Sequence, residues 1–184
     1  MIILSVVGLL VIVFLVAALF ARRDFVVERE LLIDSSKPDV FSFLKYLKNH
    51  TAFSKWTTKD EAKKVETKGV DGLVGFVQPW HNFKERAGVG ELEIKRIIEG
   101  SEILLEHRYF KPVKGLANTL IITESRPGDQ TRVKWIYQGF SNYPINLLTA
   151  SMNMDKIVGK DLEVCLMKLK STLEEKALAQ STIL

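Results

Sequence analysis

The chain has a single cysteine, Cys165, so no internal disulfide can form, and its three histidines (His50, His81 and His107) make no metal-ligand spacing with it. No metal and no cofactor is expected. Blocks of like charge are also missing. The 26 Lys and Arg and 22 Asp and Glu are mixed along the chain, giving a formal charge of +4 without the basic stripe of a nucleic-acid binder. There is no Gly-x-Ser-x-Gly, no P-loop, and no cysteine placed with a histidine and an acid, so nucleophilic catalysis has no visible apparatus. Gly88-Val89-Gly90 lacks the third glycine and the following helix of a phosphate loop. Composition also excludes intrinsic disorder, collagen and a multi-pass membrane protein.

Charge is absent altogether from one place. Ile2 to Ala21 is a run of 20 residues without Asp, Glu, Lys or Arg, and 15 of them are Leu, Ile, Val or Phe. As a helix it spans about 30 Å, the thickness of a bilayer's hydrocarbon core. In lipid every backbone group has to be bonded internally, which makes the run a helix. A cleaved signal peptide needs a basic start and a shorter apolar stretch. This run has no basic residue before it and Arg22-Arg23 directly after it. It is read as a membrane anchor over residues 1–23, with Ile2, Leu10, Phe14 and Leu19 among its lipid-facing residues. Arg22, Arg23, Arg29 and Lys37 follow it, which places the rest of the chain on the cytoplasmic side of a cell membrane.

The remaining residues suffice for one well-buried domain, expected over 24–176, with a tail over 177–184. Phe25 to Ile33 reads as a strand. Ser36 can cap the helix that follows, with Asp39 answering three residues on, and Val40, Phe41, Leu44 and Leu47 give it one apolar face. A short second helical piece is expected around Thr51 to Lys55, leading to Trp56. From about Lys63 to Ser141 the chain alternates in short runs broken at turn residues, which predicts six more strands in antiparallel hairpins. After Pro144, Val158, Leu162, Cys165, Leu166, Leu169 and Leu173 recur at steps of three and four, the pattern of a long amphipathic helix. The sum is an α+β domain: a sheet of about seven strands covered by its final helix.

Several strings occur in an order that resembles the SRPBCC superfamily, with its START and Bet v 1-like helix-grip fold, and within it the polyketide cyclase/dehydrase-like proteins. They are Val27-Glu28-Arg29-Glu30, Val40-Phe41 with Leu47-Lys48-Asn49 and Trp56, Asp71-Gly72-Leu73-Val74-Gly75 leading to Trp80, Gly88-Val89-Gly90-Glu91, Thr131-Arg132-Val133-Lys134-Trp135, and Met152-Asn153-Met154-Asp155-Lys156. The resemblance runs from Phe25 to Leu173 and departs at Asp60-Glu61, where relatives commonly carry Asp-Pro. Many bacterial relatives also carry one N-terminal membrane helix. The resemblance implies a curved antiparallel sheet wrapped around the C-terminal helix, with a cavity between them for an apolar or amphipathic small molecule. It implies no single reaction, since carriers, cyclases and chaperone co-activators share the fold.

Alternation along Glu102 to Lys111 turns His107 and Tyr109 inward and Glu102, Glu106 and Arg108 outward. The same reading turns Trp135 and Tyr137 inward and groups Phe76, Gln78 and Trp80 on one face, while Glu91 and Glu93 belong to the solvated side. Met152 and Met154 stand where a pocket mouth would lie. Trp56, Trp80, His107, Tyr109, Trp135, Tyr137 and Met152 are therefore the expected cavity lining. Tyr and Trp combine apolar area with one polar group, which suits an amphipathic ligand such as a lipid, quinone or polyketide-like molecule. Two other classes stay open: a regulatory or chaperone-type domain with a protein partner, and a cyclase or dehydratase in which His107 and Tyr109 exchange protons with substrate. A reporter fused to the C-terminus is expected to be active only in forms that work in the cytoplasm. Activity confined to the periplasm or lumen would place the domain on the other side.

Overall fold

The fold was described from a computed structural model, which covers residues 2–55, 66–82 and 88–181. Its elements are α1 (Ile2–Phe20), β1 (Asp24–Ile33), α2 (Lys37–Lys45), α3 (Leu47–Phe53), β2 (Val77–Asn82), β3 (Gly88–Ile98), β4 (Glu102–Lys111), β5 (Gly115–Arg126), β6 (Gln130–Phe140), α4 (Asn146–Ser151) and α5 (Met154–Ser181). The strands form one antiparallel sheet in the order β1-β6-β5-β4-β3-β2, a meander from β2 to β6 closed by β1 alongside β6. The sheet therefore has six strands, where seven were expected. The run before Gly69 supplies only an isolated bridge, Lys68 to Val77, among its described residues. Pro79 sits in β2, at the sheet edge, where a missing N–H donor is tolerated.

Alternation along the strands sends Val27, Leu92, Ile94, Ile103, Leu105, Ile121 and Val133 to one face. There they meet Leu162, Cys165, Leu166 and Leu169 of α5 and Phe53 of α3, all buried. The opposite face is charged. Arg108 binds Glu91 at 2.6 Å and Glu93 at 2.5 Å, and pairs with Glu106 as well. These carboxylates hold a solvated ladder, as their alternation with Leu92 and Ile94 indicates.

Wrapping a sheet around a helix requires sharp local bends, and two cross-strand pairs supply them. Trp80 faces Gly90 across β2 and β3, and Phe25 faces Gly139 across β1 and β6. In each pair the ring lies over the glycine. A Cβ on Gly90 would stand 2.4 Å from the Trp80 ring and from the Arg108 carbonyl, and one on Gly139 would stand 2.3 Å from the Phe25 ring. Glycine under an aromatic ring is a device for curving a sheet without opening a gap. Gly159 in α5 works the same way for a charge. Its missing side chain leaves room for the Arg29 guanidinium, which binds Asp155 at 2.9 Å and Glu163 at 2.7 Å and so fastens β1 to the helix.

The helix boundaries differ from the sequence reading in two places. Ser36 caps α2 with Asp39 as expected, but α2 ends at Lys45 and Leu47 opens α3, which runs to Phe53. The start of α3 has no cap of its own. Its first N–H groups are taken by Asp71, which accepts from Leu47 at 2.7 Å and from Lys48 at 3.1 Å. Gly72, at φ +85°, lets that loop pass the Tyr46 ring. The Asp71-Gly72 string thus serves as a long-range helix cap. The last helical region is also split, with Asn153 capping α5 through Lys156 N–H at 2.9 Å.

Gly90→Ala is expected to lower stability by about 1–3 kcal/mol, the usual cost of overpacking. Denaturant unfolding followed by tryptophan fluorescence would measure it, and a change close to zero would show that the Trp80–Gly90 contact does not shape the sheet.

Candidate functional site

The buried face of the sheet is not uniform. At the end near the β3–β4 and β5–β6 turns it is aliphatic, with Ile94, Ile103, Ile121 and Val133. Towards the other end β4 continues through Leu105 to His107 and Tyr109, β6 through Trp135 to Tyr137, and β2 brings in Trp80. These side chains meet. Trp80 packs edge-on against Tyr109 at 5.3 Å and against His107 at 6.1 Å between ring centres. His107 stacks on Tyr109 at 6.2 Å and meets Tyr137 edge-on at 5.8 Å. The Tyr109 and Tyr137 hydroxyls lie 3.0 Å apart, so one donates to the other, and His107 Nε2 lies 2.9 Å from the Thr119 hydroxyl.

Across from this cluster, α3 presents His50. Its Nε2 donates to the Leu44 carbonyl at 2.8 Å, because a carbonyl can only accept, so Nδ1 of the neutral ring is an acceptor. His50, Trp80, Leu92, Leu105, His107 and Trp135 enclose a cavity of about 10 Å³. That is room for about one water molecule. Among the described residues this gap lies between the sheet and α3, not against α5, and its own lining nearly fills it.

Electrostatically the site is neutral. Burial pushes the His50 imidazole down to about 4 and the His107 imidazole down to about 3, the latter helped by repulsion from His50. Burial also raises the Tyr109 hydroxyl, and raises that of Tyr137 well above its ordinary range. At neutral pH the cluster therefore offers uncharged donors and acceptors on apolar rings. Among the described residues of this lining a carboxylate or phosphate would find no cation.

Of the expected lining, Trp80, His107, Tyr109 and Tyr137 come together, with Trp135 beside them and edge-on to Phe53 at 6.0 Å. Trp56 lies outside the described residues. Met152 does not join them. It is exposed after α4, in an open groove with Arg22, Phe25, Thr149 and Asp155, because the break before α5 turns it away from the sheet. Of the expected anchor residues, Ile2, Leu10 and Leu19 are exposed along α1 and Phe14 is half-buried. The sequence reading missed His50 and Thr119. His50 was overlooked because α3 was placed one turn too late; with the helix at Leu47–Phe53, Leu47, His50 and Phe53 recur every three residues on its buried side.

No family model and no curated protein matches the sequence. Solved structures do. A norcoclaurine synthase point mutant from Thalictrum flavum, in complex with a transition-state analogue, is similar with a TM-score of 0.63 at 12% identity, over 84% of this chain and 96% of that one. The same plant's enzyme in complex with dopamine and hydroxybenzaldehyde gives 0.61 at 12% identity, over 83% and 87%. The Aha1 dimer from Colwellia psychrerythraea gives 0.56 at 14% identity, over 82% and 96%. The fold is the helix-grip fold. At these identities the likeness carries the architecture alone, and helix-grip domains put it to more than one use.

The buried imidazoles make stability depend on pH. Unfolded histidine titrates near 6.5, so below that value the unfolded chain binds more protons than the folded one and stability falls with falling pH. At about pH 5 each of His50 and His107 is expected to cost about 2 kcal/mol relative to neutral pH. Urea unfolding of the wild type and of His107→Gln across that range would test this. The variant should lose roughly half of the dependence, and an unchanged slope would mean that His107 is already charged or exposed.

Proposed function

We propose that this protein is a membrane-anchored binding module for a small, uncharged, amphipathic molecule with an aromatic or quinone-like ring. The observation that carries the proposal is the cluster of Trp80, His107, Tyr109 and Tyr137 facing His50 across an interior gap. A core built for stability alone would place aliphatic side chains there. Rings with single polar groups supply apolar area together with hydrogen-bonding groups that a ligand could share. The neutral state of both imidazoles supports an uncharged ligand. The likeness to a synthase crystallised with dopamine and hydroxybenzaldehyde supports a ring-bearing one. A domain tethered beside a bilayer meets molecules dissolved in it at high effective concentration, which favours a membrane-borne ligand over a soluble metabolite.

Binding in this reading requires the lining to move, since about 10 Å³ holds no ring. Trp80 lies on an edge strand and is the side chain best placed to swing out. A proton-transfer role for His107 is the weaker reading: an imidazole held near 3 is a poor base at neutral pH. The near-filled interior favours instead, as the second reading, a protein-interaction domain that works through its surface.

Titration of the full-length protein in detergent with 2-naphthol and with a short-chain benzoquinone, followed by tryptophan fluorescence, separates the two. Saturable quenching by either probe, weakened at least tenfold in Trp80→Ala and in Tyr137→Ala, is the expected result. Quenching that is linear in probe and indifferent to both substitutions would overturn the binding reading and leave the interaction reading.

A further inference from the structure

The last two turns of α1 are held by the domain. Ala18 is fully buried, and Phe14, Leu15 and Ala21, on the same side of the helix, are half-buried, whereas the residues from Ile2 to Val13 are exposed. The partner is the segment that opens α4. The Asn146 side-chain amide donates to the carbonyls of Ala18 at 2.7 Å and Ala21 at 3.0 Å, and the Tyr143 hydroxyl donates to that of Leu15 at 3.3 Å. Leu15 lies five residues inside the end of α1, roughly 7.5 Å along its axis. A domain bonded to the apolar helix at that depth cannot hang below it on a loose linker. If α1 spans a bilayer, Tyr143 reaches the outer part of the hydrocarbon and α4 lies in the interface beside it.

The sheet register brings a second segment to the same end. Asp24, just past α1, pairs with Phe140, and Phe140 pairs with Leu116 at the start of β5. The β4–β5 turn is therefore beside the exit of α1. It exposes Phe110 (45%) and Val113 (51%), with Leu116 next to them and the exposed Lys111 and Lys114 between. Around α4, Leu148 (53%) and Met152 (51%) are exposed as well, with Arg22 and Arg23 alongside. The far-end turns Glu99-Gly100-Ser101 and Pro127-Gly128-Asp129 each carry a carboxylate and a glycine at the tip, with Ile98 (47%) exposed beside the first and Val70, Leu73 and Val74 exposed in the loop before β2. The distinguishing feature of the α1 end is therefore its lysines and arginines together with the bonded helix. Apolar tips ringed by lysine and arginine are the chemistry of an anionic lipid surface, where the tips enter the interface and the cations meet headgroups.

From this we infer that the end of the domain bearing the β4–β5 turn and α4 lies against the bilayer as a second membrane contact. The inference rests on the anchor reading of α1. It also gives the interior an orientation, because Tyr109 and Tyr137 stand at this same end of the sheet, so the polar end of the cluster faces the membrane.

The test uses the full chain reconstituted into vesicles of phosphatidylcholine and phosphatidylglycerol, with an environment-sensitive fluorophore on single introduced cysteines. Leu10→Cys reports on α1, Val113→Cys and Leu148→Cys on the two contacts, and Ser125→Cys on the far end. Cys165 is buried and its thiol is pushed up to about 11, so it stays unlabelled, with the wild type as control. Lipids brominated in their acyl chains are expected to quench the fluorophores at Leu10, Val113 and Leu148 and to leave the one at Ser125 untouched. In Lys111→Glu/Lys114→Glu the quenching at Val113 is expected to fall several-fold. Quenching at Leu10 with none at Val113 or Leu148 would overturn the second contact while keeping the anchor. No quenching at Leu10 would overturn both.

Discussion

The interior of this domain depends on aromatic rings folded over glycines of the neighbouring strand. Without Gly90 the Trp80 ring could not lie flat across β3, and it is that position which brings it to within ring contact of His107 and Tyr109. Without Gly139, Phe25 could not close the opposite margin. The two pairs sit at the two edges of the sheet, with β1 packed against α5 while the central strands carry the buried face. Arg29 then ties the β1 edge to the helix across Gly159.

The cost of the arrangement is borne by polar groups in a dry place. Two imidazoles and two phenols are held uncharged, each with a partner of hydrogen-bonding reach, at one end of a sheet whose other end is plain aliphatic core. A gradient of this kind along single strands, Ile103 to Tyr109 on β4 and Val133 to Tyr137 on β6, means that stability and the site are separated by distance within the same elements. The placement of α1 at the aromatic end is fixed by Asn146, whose amide satisfies the Ala18 and Ala21 carbonyls at the end of α1, and by the Tyr143 hydroxyl, which donates to the Leu15 carbonyl.

Much of this was legible in residue order. Alternation placed His107, Tyr109, Trp135 and Tyr137 inward and Glu91, Glu93 and Arg108 outward, and each lies where a period of two puts it. Ser36 with Asp39 announced α2, and steps of three and four announced α5. The failures share one cause. The start of α3 was misplaced because its cap is Asp71, 24 residues away from Leu47, and no local pattern reveals a donor group satisfied at that distance. His50 was lost with it. A run of suitable residues still needs a partner to become a strand, and among the described residues before Gly69 Lys68 makes a single bridge. Gly159 is a lone glycine inside a helical run, and nothing in its neighbourhood names Arg29 as the group that fills the space it leaves.

By itself, then, the sequence determined what short-range physics decides: an apolar helix long enough for a bilayer, the faces of the strands, and the helix caps made by neighbours. These follow from hydrophobic periodicity and from contacts within a few residues. Only the tertiary structure decided which faces meet, how tightly the interior closes, and that α1 is bonded to the domain at the end where the tyrosines stand. Those are sums over residues far apart in the chain, set by strand register and by the volume that glycines leave free, and a packing volume is not written in any one segment.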